Sequence, residues 1–135
     1  MNKNLPKIIS YDSLNQFEGK TITIIEGKNL TFFNIKRFYW INYSAHEITN
    51  SEHAHKSLHQ IIIAIDGKVT ISLESTDGEI FEYNIQRPNE GLYIPPMFWK
   101  KIKYKKPCVL LCLASEPYDE NDYIRNYEEF KLFQK

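Results

Sequence analysis

The sequence predicts an all-β protein, an antiparallel barrel or sandwich with a short C-terminal helix, and three observations carry that expectation. Apolar and polar residues alternate with period two over several short stretches, tight Asp-Gly turns join neighbouring stretches, and the helical period appears only beyond Tyr118. A chain of 135 residues can bury one core of its own, so residues 1–135 are expected to form a single domain.

In chain order, Lys20 to Glu26 alternates Thr with Ile, the mark of a half-buried strand closed by Glu26-Gly27. Leu30 to Tyr43 is rich in β-branched and aromatic residues and reads as a longer strand with Ile35, Arg37, Tyr39 and Ile41 on one face. Ser44 to Ser51 is polar and reads as a loop. Gln60 to Ile65 is a continuous apolar strand, turned by Asp66-Gly67 into a second strand with Val69, Ile71 and Leu73 alternating. Ser75 to Gly78 turns the chain again into Ile80–Ile85. Gly91–Ile94, Phe98–Tyr104 and Val109–Leu113 supply further strands, the first two separated by Pro95-Pro96. At least seven strands result, enough for a barrel or sandwich. From Asp119 to Phe133 the apolar residues Tyr123, Ile124, Tyr127, Phe130 and Phe133 make a helical stripe that Asn121 or Asp122 can cap, predicting a helix on the outside of the barrel.

Composition excludes several classes. Lysine plus arginine equals aspartate plus glutamate at 17 each, and the calculated pI is near 6.9, so no overall field draws nucleic acid or an anionic membrane, and neither is an expected partner. No apolar run reaches the roughly 20 residues of a membrane span, and the N-terminus lacks a signal-like apolar segment, which predicts a cytoplasmic protein. Cys108 and Cys112 share a strand face about 13 Å apart, too far to bridge, and read as reduced core thiols.

The chemistry is concentrated in Asn50 to Gln60, which holds three of the four histidines. On a strand, His53 and His55 point to one side and Ala54 to the other, so two imidazoles share a face. Histidine is the side chain that exchanges protons near neutral pH, which makes the pair a candidate for acid/base work. His59 has the same parity and reads as a wall of the same pocket.

The spacing His53-x-His55, four residues, Gln60, six residues, Gly67 resembles the first motif of the cupin jelly-roll barrels, and Gly91, Pro95 and Lys100 follow the frame of the second. Metal-binding cupins carry a Glu where Gln60 stands and a third His where Lys100 stands. A protonated lysine and a neutral amide are poor ligands, so no metal and no other cofactor is expected.

More specifically, the chain resembles the dTDP-sugar 3,4-ketoisomerases, cupins that act on dTDP-4-keto-6-deoxyglucose. The resemblance rests on Ile35-Lys36-Arg37-x-Tyr39, His53-Ala54-His55-Lys56, Gly91 to Pro96 followed by Trp99, Leu113-Ala114-Ser115, and the tail from Tyr118-Asp119-Glu120-x-Asp122-Tyr123-Ile124-Arg125 through Tyr127 to Phe130. It implies a homodimer, a dTDP-linked keto sugar as partner, and a 4-keto sugar moved to its 3-keto isomer for later conversion into a 3-amino-3,6-dideoxyhexose of a surface glycan. The residues suit that reaction: a base removes the acidic C3 proton, an enediol forms, and C4 is reprotonated. His55 is expected as the base, His53 as its partner, with the two roles open to exchange, and Tyr39 as a relay hydroxyl. Arg37 is expected to clamp the diphosphate. Trp99 is a candidate to stack on thymine, and Asn50, Lys100 and His59 complete the expected substrate-binding set.

The chain departs from that family's usual pattern at Asn50-Ser51-Glu52, where Arg-Gly-x precedes the histidines; at Trp99-Lys100-Lys101, in place of Trp-His-Glu; and at Gln16-Phe17-Glu18-Gly19, in place of Asp-x-Arg-Gly. Three rival classes remain: a 3,5-epimerase-like cupin, whose mark is a His–Asp pair that the sequence does not display, a non-catalytic sugar-nucleotide binder, and a metal-dependent dioxygenase. The configuration at C4 of the product is left open.

Overall fold

The computed structural model describes residues 4–15, 19–26 and 33–133. The readings that rest on Gln16 to Glu18, on Gly27 and on Leu30 to Phe32 fall outside them. Twelve strands are described: β1 (Lys7–Ser10), β2 (Asp12–Asn15), β3 (Thr21–Ile24), β4 (Arg37–Tyr43), β5 (Thr49–His55), β6 (Gln60–Asp66), β7 (Val69–Glu74), β8 (Ile80–Ile85), β9 (Glu90–Ile94), β10 (Trp99–Tyr104), β11 (Cys108–Ala114) and β12 (Tyr123–Ile124). A single-turn helix, α1, spans Tyr127–Lys131.

Two five-stranded antiparallel sheets make the body, in orders β1-β9-β6-β11-β4 and β12-β5-β10-β7-β8, with β2-β3 as a separate hairpin. The expected alternation places the inner faces. Ile62, Ala64, Leu92, Leu110 and Cys112 of the first sheet pack on Val69, Ile71, Leu73, Ile102 and Tyr104 of the second, and all ten are buried. Period-two alternation turns every second side chain of each strand into this shared interior, which is how a jelly-roll barrel buries a core from short segments. Both cysteines lie buried and unbridged on the inner face of β11.

The β6–β7 turn is made by Gly67 at φ +78°, where a side chain would also run into its surroundings: a Cβ at this position would lie only 2.7 Å from both the Pro107 carbonyl oxygen and the Cys108 Cβ. At the β7–β8 turn the Ser75 hydroxyl bonds the Asp77 carboxylate and accepts the Glu79 amide at 3.0 Å.

Three expectations are corrected. The polar stretch through Ser51 is strand from Thr49 on, because β10 supplies a full ladder from Lys100↔His53 to Tyr104↔Thr49. The aromatic run before Tyr43 is strand only from Arg37, where β11 begins to pair with it. The tail is not one helix. Asp119 caps a 3-10 turn at Glu120–Asp122, then β12 pairs Tyr123 with His55 and Ile124 with Ala54, and only then does Asn126 cap α1. The ladder offered by the edge of β5 outcompetes local helical propensity, and Ile124 and Phe130 gain full burial against Ala54 and Trp99 on the outer face of the second sheet.

Candidate active site

One end of the barrel interior is polar. β5 turns Ser51, His53 and His55 inward; β10 turns Lys100, Ile102 and Tyr104 inward; β4 turns Arg37 and Tyr39 inward; β11 supplies Cys112 and Ala114 opposite them. His55 is buried, and its ring lies 5.0 Å from that of His53 in an edge-to-face arrangement. Tyr123 covers both, with ring centroids 4.4 Å from His55 and 5.1 Å from His53. The Arg125 guanidinium sits 4.1 Å over the Tyr123 ring and is held by a two-bond ion pair with Glu120, at 2.7 and 3.0 Å.

A cavity of about 440 Å³ opens beside His55, lined by Arg37, Ser57, Leu58, Tyr118, Asp122 and Tyr123 among others. Arg37 donates through Nε to the Glu116 carbonyl at 3.1 Å and lies over the rings of Tyr39, at 5.0 Å, and Tyr118, at 5.9 Å. Those contacts hold the guanidinium at the cavity wall, and its terminal nitrogens have no hydrogen-bond partner among the described residues.

The electrostatics favour neutral imidazoles. Burial, then the Lys100 ammonium, lowers His53 to about 2 and His55 to about 4, with Asp122 pulling His55 partly back up. Lys100 is itself only 3 % exposed, and that burial lowers it to about 8. Burial pushes the Tyr39 phenol well up, so it stays a proton donor, beside Cys112 in the β4–β11 ladder.

His55 has two distinct nitrogens. Nδ1 lies 3.1 Å from Asp122 Oδ2, while Nε2 is buried with no hydrogen-bond partner among the described residues. The His–Asp pair that the sequence does not display is therefore present, across 67 residues of chain. Asp122 and Tyr123 are functional neighbours that sequence reasoning missed, because their polar and apolar pattern fits a helix cap and a helical stripe.

The structure brings together His53, His55, Tyr39, Arg37 and Lys100. It does not bring in the other three. Asn50 is exposed and, two residues from Glu52 and four from Ala54, lies on the outer face of β5. Trp99 has the parity opposite to Lys100, so it is buried on the outer face against Phe130 and Tyr127, with Nε1 donating to Glu52 at 3.2 Å. His59 is not on the face of His53 and His55, because the chain bends at Lys56–Ser57 into the other sheet. There its Nδ1 meets the Tyr93 hydroxyl at 2.8 Å, and its ring neighbours Phe33 on the side away from the barrel interior. Among the described residues, no three His, Cys, Asp or Glu side chains are grouped to hold a metal ion.

Comparison with known proteins adds four relationships. Residues 3–135 match the family described as FdtA: WxcM-like, C-terminal. The chain is 36 % identical over 129 residues to the TDP-4-oxo-6-deoxy-alpha-D-glucose-3,4-oxoisomerase of Aneurinibacillus thermoaerophilus, covering 94 % of this chain and 91 % of that protein. A mutant of the 3,4-ketoisomerase QdtA from Thermoanaerobacterium thermosaccharolyticum, solved in complex with TDP-4-keto-6-deoxyglucose, superposes with a TM-score of 0.83 at 37 % identity, covering 93 % of this chain and 91 % of that one. The WlaRB TDP-quinovose 3,4-ketoisomerase from Campylobacter jejuni superposes at 0.84 with 32 % identity, covering 94 % and 97 %.

Proposed function

The chain belongs to the FdtA (WxcM-like, C-terminal) family, and on that footing we propose that it is a sugar 3,4-ketoisomerase converting dTDP-4-keto-6-deoxyglucose into its 3-keto isomer. It is an isomerase, and its chemistry is carried by side chains. The observation that bears most weight is that His55, whose Nε2 is buried and unpartnered among the described residues, lines the same cavity as Arg37.

The sugar ring enters the cavity with C3 facing that nitrogen. His55 Nε2 takes the C3 proton, the C3–H pair becomes the C3–C4 double bond, and the C4 carbonyl oxygen takes up a proton to give an enediol. Loss of the proton from the C3 hydroxyl forms the new carbonyl at C3 while C4 gains a hydrogen, so the sum is an isomerisation with no net proton. A base in this role must be unprotonated at neutral pH, and burial beside the Lys100 ammonium supports that state for His55. His53, 5.0 Å away, returns the proton, and the protonated Tyr39 hydroxyl relays between oxygens. The Lys100 ammonium stabilises the negative charge that develops on oxygen as the C–H bond breaks. Arg37, whose Nε is engaged with the Glu116 carbonyl, binds the diphosphate through its terminal nitrogens.

The enzyme acts as a homodimer on a nucleotide sugar in the cytoplasm, supplying a precursor of an amino sugar for a surface glycan. The dimer is supported by β4, an edge strand that exposes Phe38 at 63 % and Trp40 at 62 % beside the apolar outer face of β11.

The His55–Asp122 pair favours a second reading, a 3,5-epimerase, since that class also enolises next to C4 with such a pair. Proton NMR with dTDP-4-keto-6-deoxyglucose in deuterated water separates them. Exchange of the C3 proton with growth of a 3-keto product deuterated at C4 is the expected result. Deuterium at C5 points to the epimerase, and an unchanged sugar with line broadening points to a binding protein.

A further inference from the structure

We propose that Asp122 is the positioning residue of this site, selecting the His55 tautomer that leaves Nε2 as a free base. The inference deepens the reading above and rests on it, because it concerns how His55 is made ready rather than which residue is the base.

Both oxygens of Asp122 are committed. Oδ1 accepts the Ser57 backbone N–H at 2.7 Å, and Oδ2 faces His55 Nδ1 at 3.1 Å. A carboxylate using both oxygens as acceptors calls for a proton on the imidazole nitrogen it faces, so Nδ1 carries the hydrogen and Nε2 the lone pair. The opposite tautomer is penalised twice. It would set the Nδ1 lone pair against the carboxylate, and it would leave a buried Nε2–H without an acceptor among the described residues.

The carboxylate is also fixed in place. The Asp122 amide donates to the Asp119 carbonyl at 3.0 Å, its carbonyl accepts Lys56 N–H at 2.9 Å, and the next residue, Tyr123, is registered against His55 in the β5–β12 ladder. The segment Lys56–Ser57 that leaves β5 is thus tied to Asp122 by its backbone at two points, just beyond the imidazole. Such redundancy suits a group that must hold one ring nitrogen in one orientation through turnover.

The test is Asp122→Asn, which keeps an oxygen for Ser57 and can offer an amide hydrogen to Nδ1, reversing the preferred tautomer with little change of shape. Imidazole 15N NMR of the free protein, with the His55 signals assigned by their loss in His55→Asn, reads the tautomer directly. Wild type is expected to carry the proton on Nδ1 and Asp122→Asn on Nε2, with kcat lowered about 10²- to 10⁴-fold and KM changed by less than about threefold. A wild-type spectrum with the proton on Nε2 overturns the proposal even if the variant does not fold. So does a folded Asp122→Asn enzyme that keeps more than about a tenth of wild-type kcat. Full turnover in His55→Asn would instead remove the base assignment and leave the tautomer measurement standing, so the two failures are distinct.

Discussion

Lys100 stands directly opposite His53 across the β5–β10 ladder, with both side chains on the barrel's inner face. A buried cation beside two imidazoles resists their protonation, and burial lowers its own hold on its proton while leaving it an ammonium at neutral pH. Each member of the group therefore reports on the others.

Removing the ammonium tests this. In Lys100→Met the second-largest cause lowering His53 and His55 is gone, so both titrate at higher pH, and the acid limb of kcat/KM moves upward from its wild-type position. A pH–rate profile measures it, and an unmoved limb would separate Lys100 from the histidines. The same variant changes alkaline stability. Lys100 is lowered from 10.5 to about 8 by burial, so between those values the unfolded chain binds more protons and wild-type stability rises with pH, by on the order of 3 kcal/mol in all. Denaturant unfolding of Lys100→Met should lack that rise.

His55→Asn should lower kcat about 10²- to 10⁴-fold, the range for loss of a general base. Survival of more than about one per cent of turnover would assign the base elsewhere. The variant also tests acid stability. His55 is lowered from 6.5 to about 4, so its contribution is present above pH 6.5 and is lost as pH falls through that window, where the unfolded chain takes up the proton first. Equilibrium unfolding at pH 7 and at pH 4.5 should differ less in His55→Asn than in wild type.

Arg37→Ala should raise KM for the dTDP-sugar about tenfold or more with a smaller effect on kcat, as expected when a charge-assisted contact to a non-reacting phosphate is removed. Steady-state kinetics decide it. A fall in kcat alone would place Arg37 at the sugar rather than the diphosphate.

Replacing Phe38 and Trp40 together by Ser should leave the fold intact, since both side chains already face water, and should convert the proposed dimer to monomer. Light scattering at micromolar concentration reads the change. A double variant with the wild-type mass would move the interface away from β4.

Much of this was legible in the residues alone. Ile61 to Asp66, Gly67 and the alternation of Val69, Ile71 and Leu73 specify a hairpin by local rules, and the spacing of His53 and His55 puts two imidazoles on one face wherever the strand lies. Parity, read correctly, also separates Lys100 from Trp99, although it does not say which face is the interior. That was decided by packing: α1 and Ile124 cover Trp99, while Lys100 is buried on the opposite face, within electrostatic reach of Cys112 on the facing sheet. The bend at Lys56–Ser57 sent His59 to the other sheet, which no parity count along the chain can register. The pairing of His55 with Asp122 likewise depended on the tail forming β12 rather than a continuous helix. Local periodicity is a property of neighbours in sequence and determined the strands and their faces. The site is a property of neighbours in space, and it arose only when an unpaired strand edge and a buried apolar patch drew the tail across the barrel.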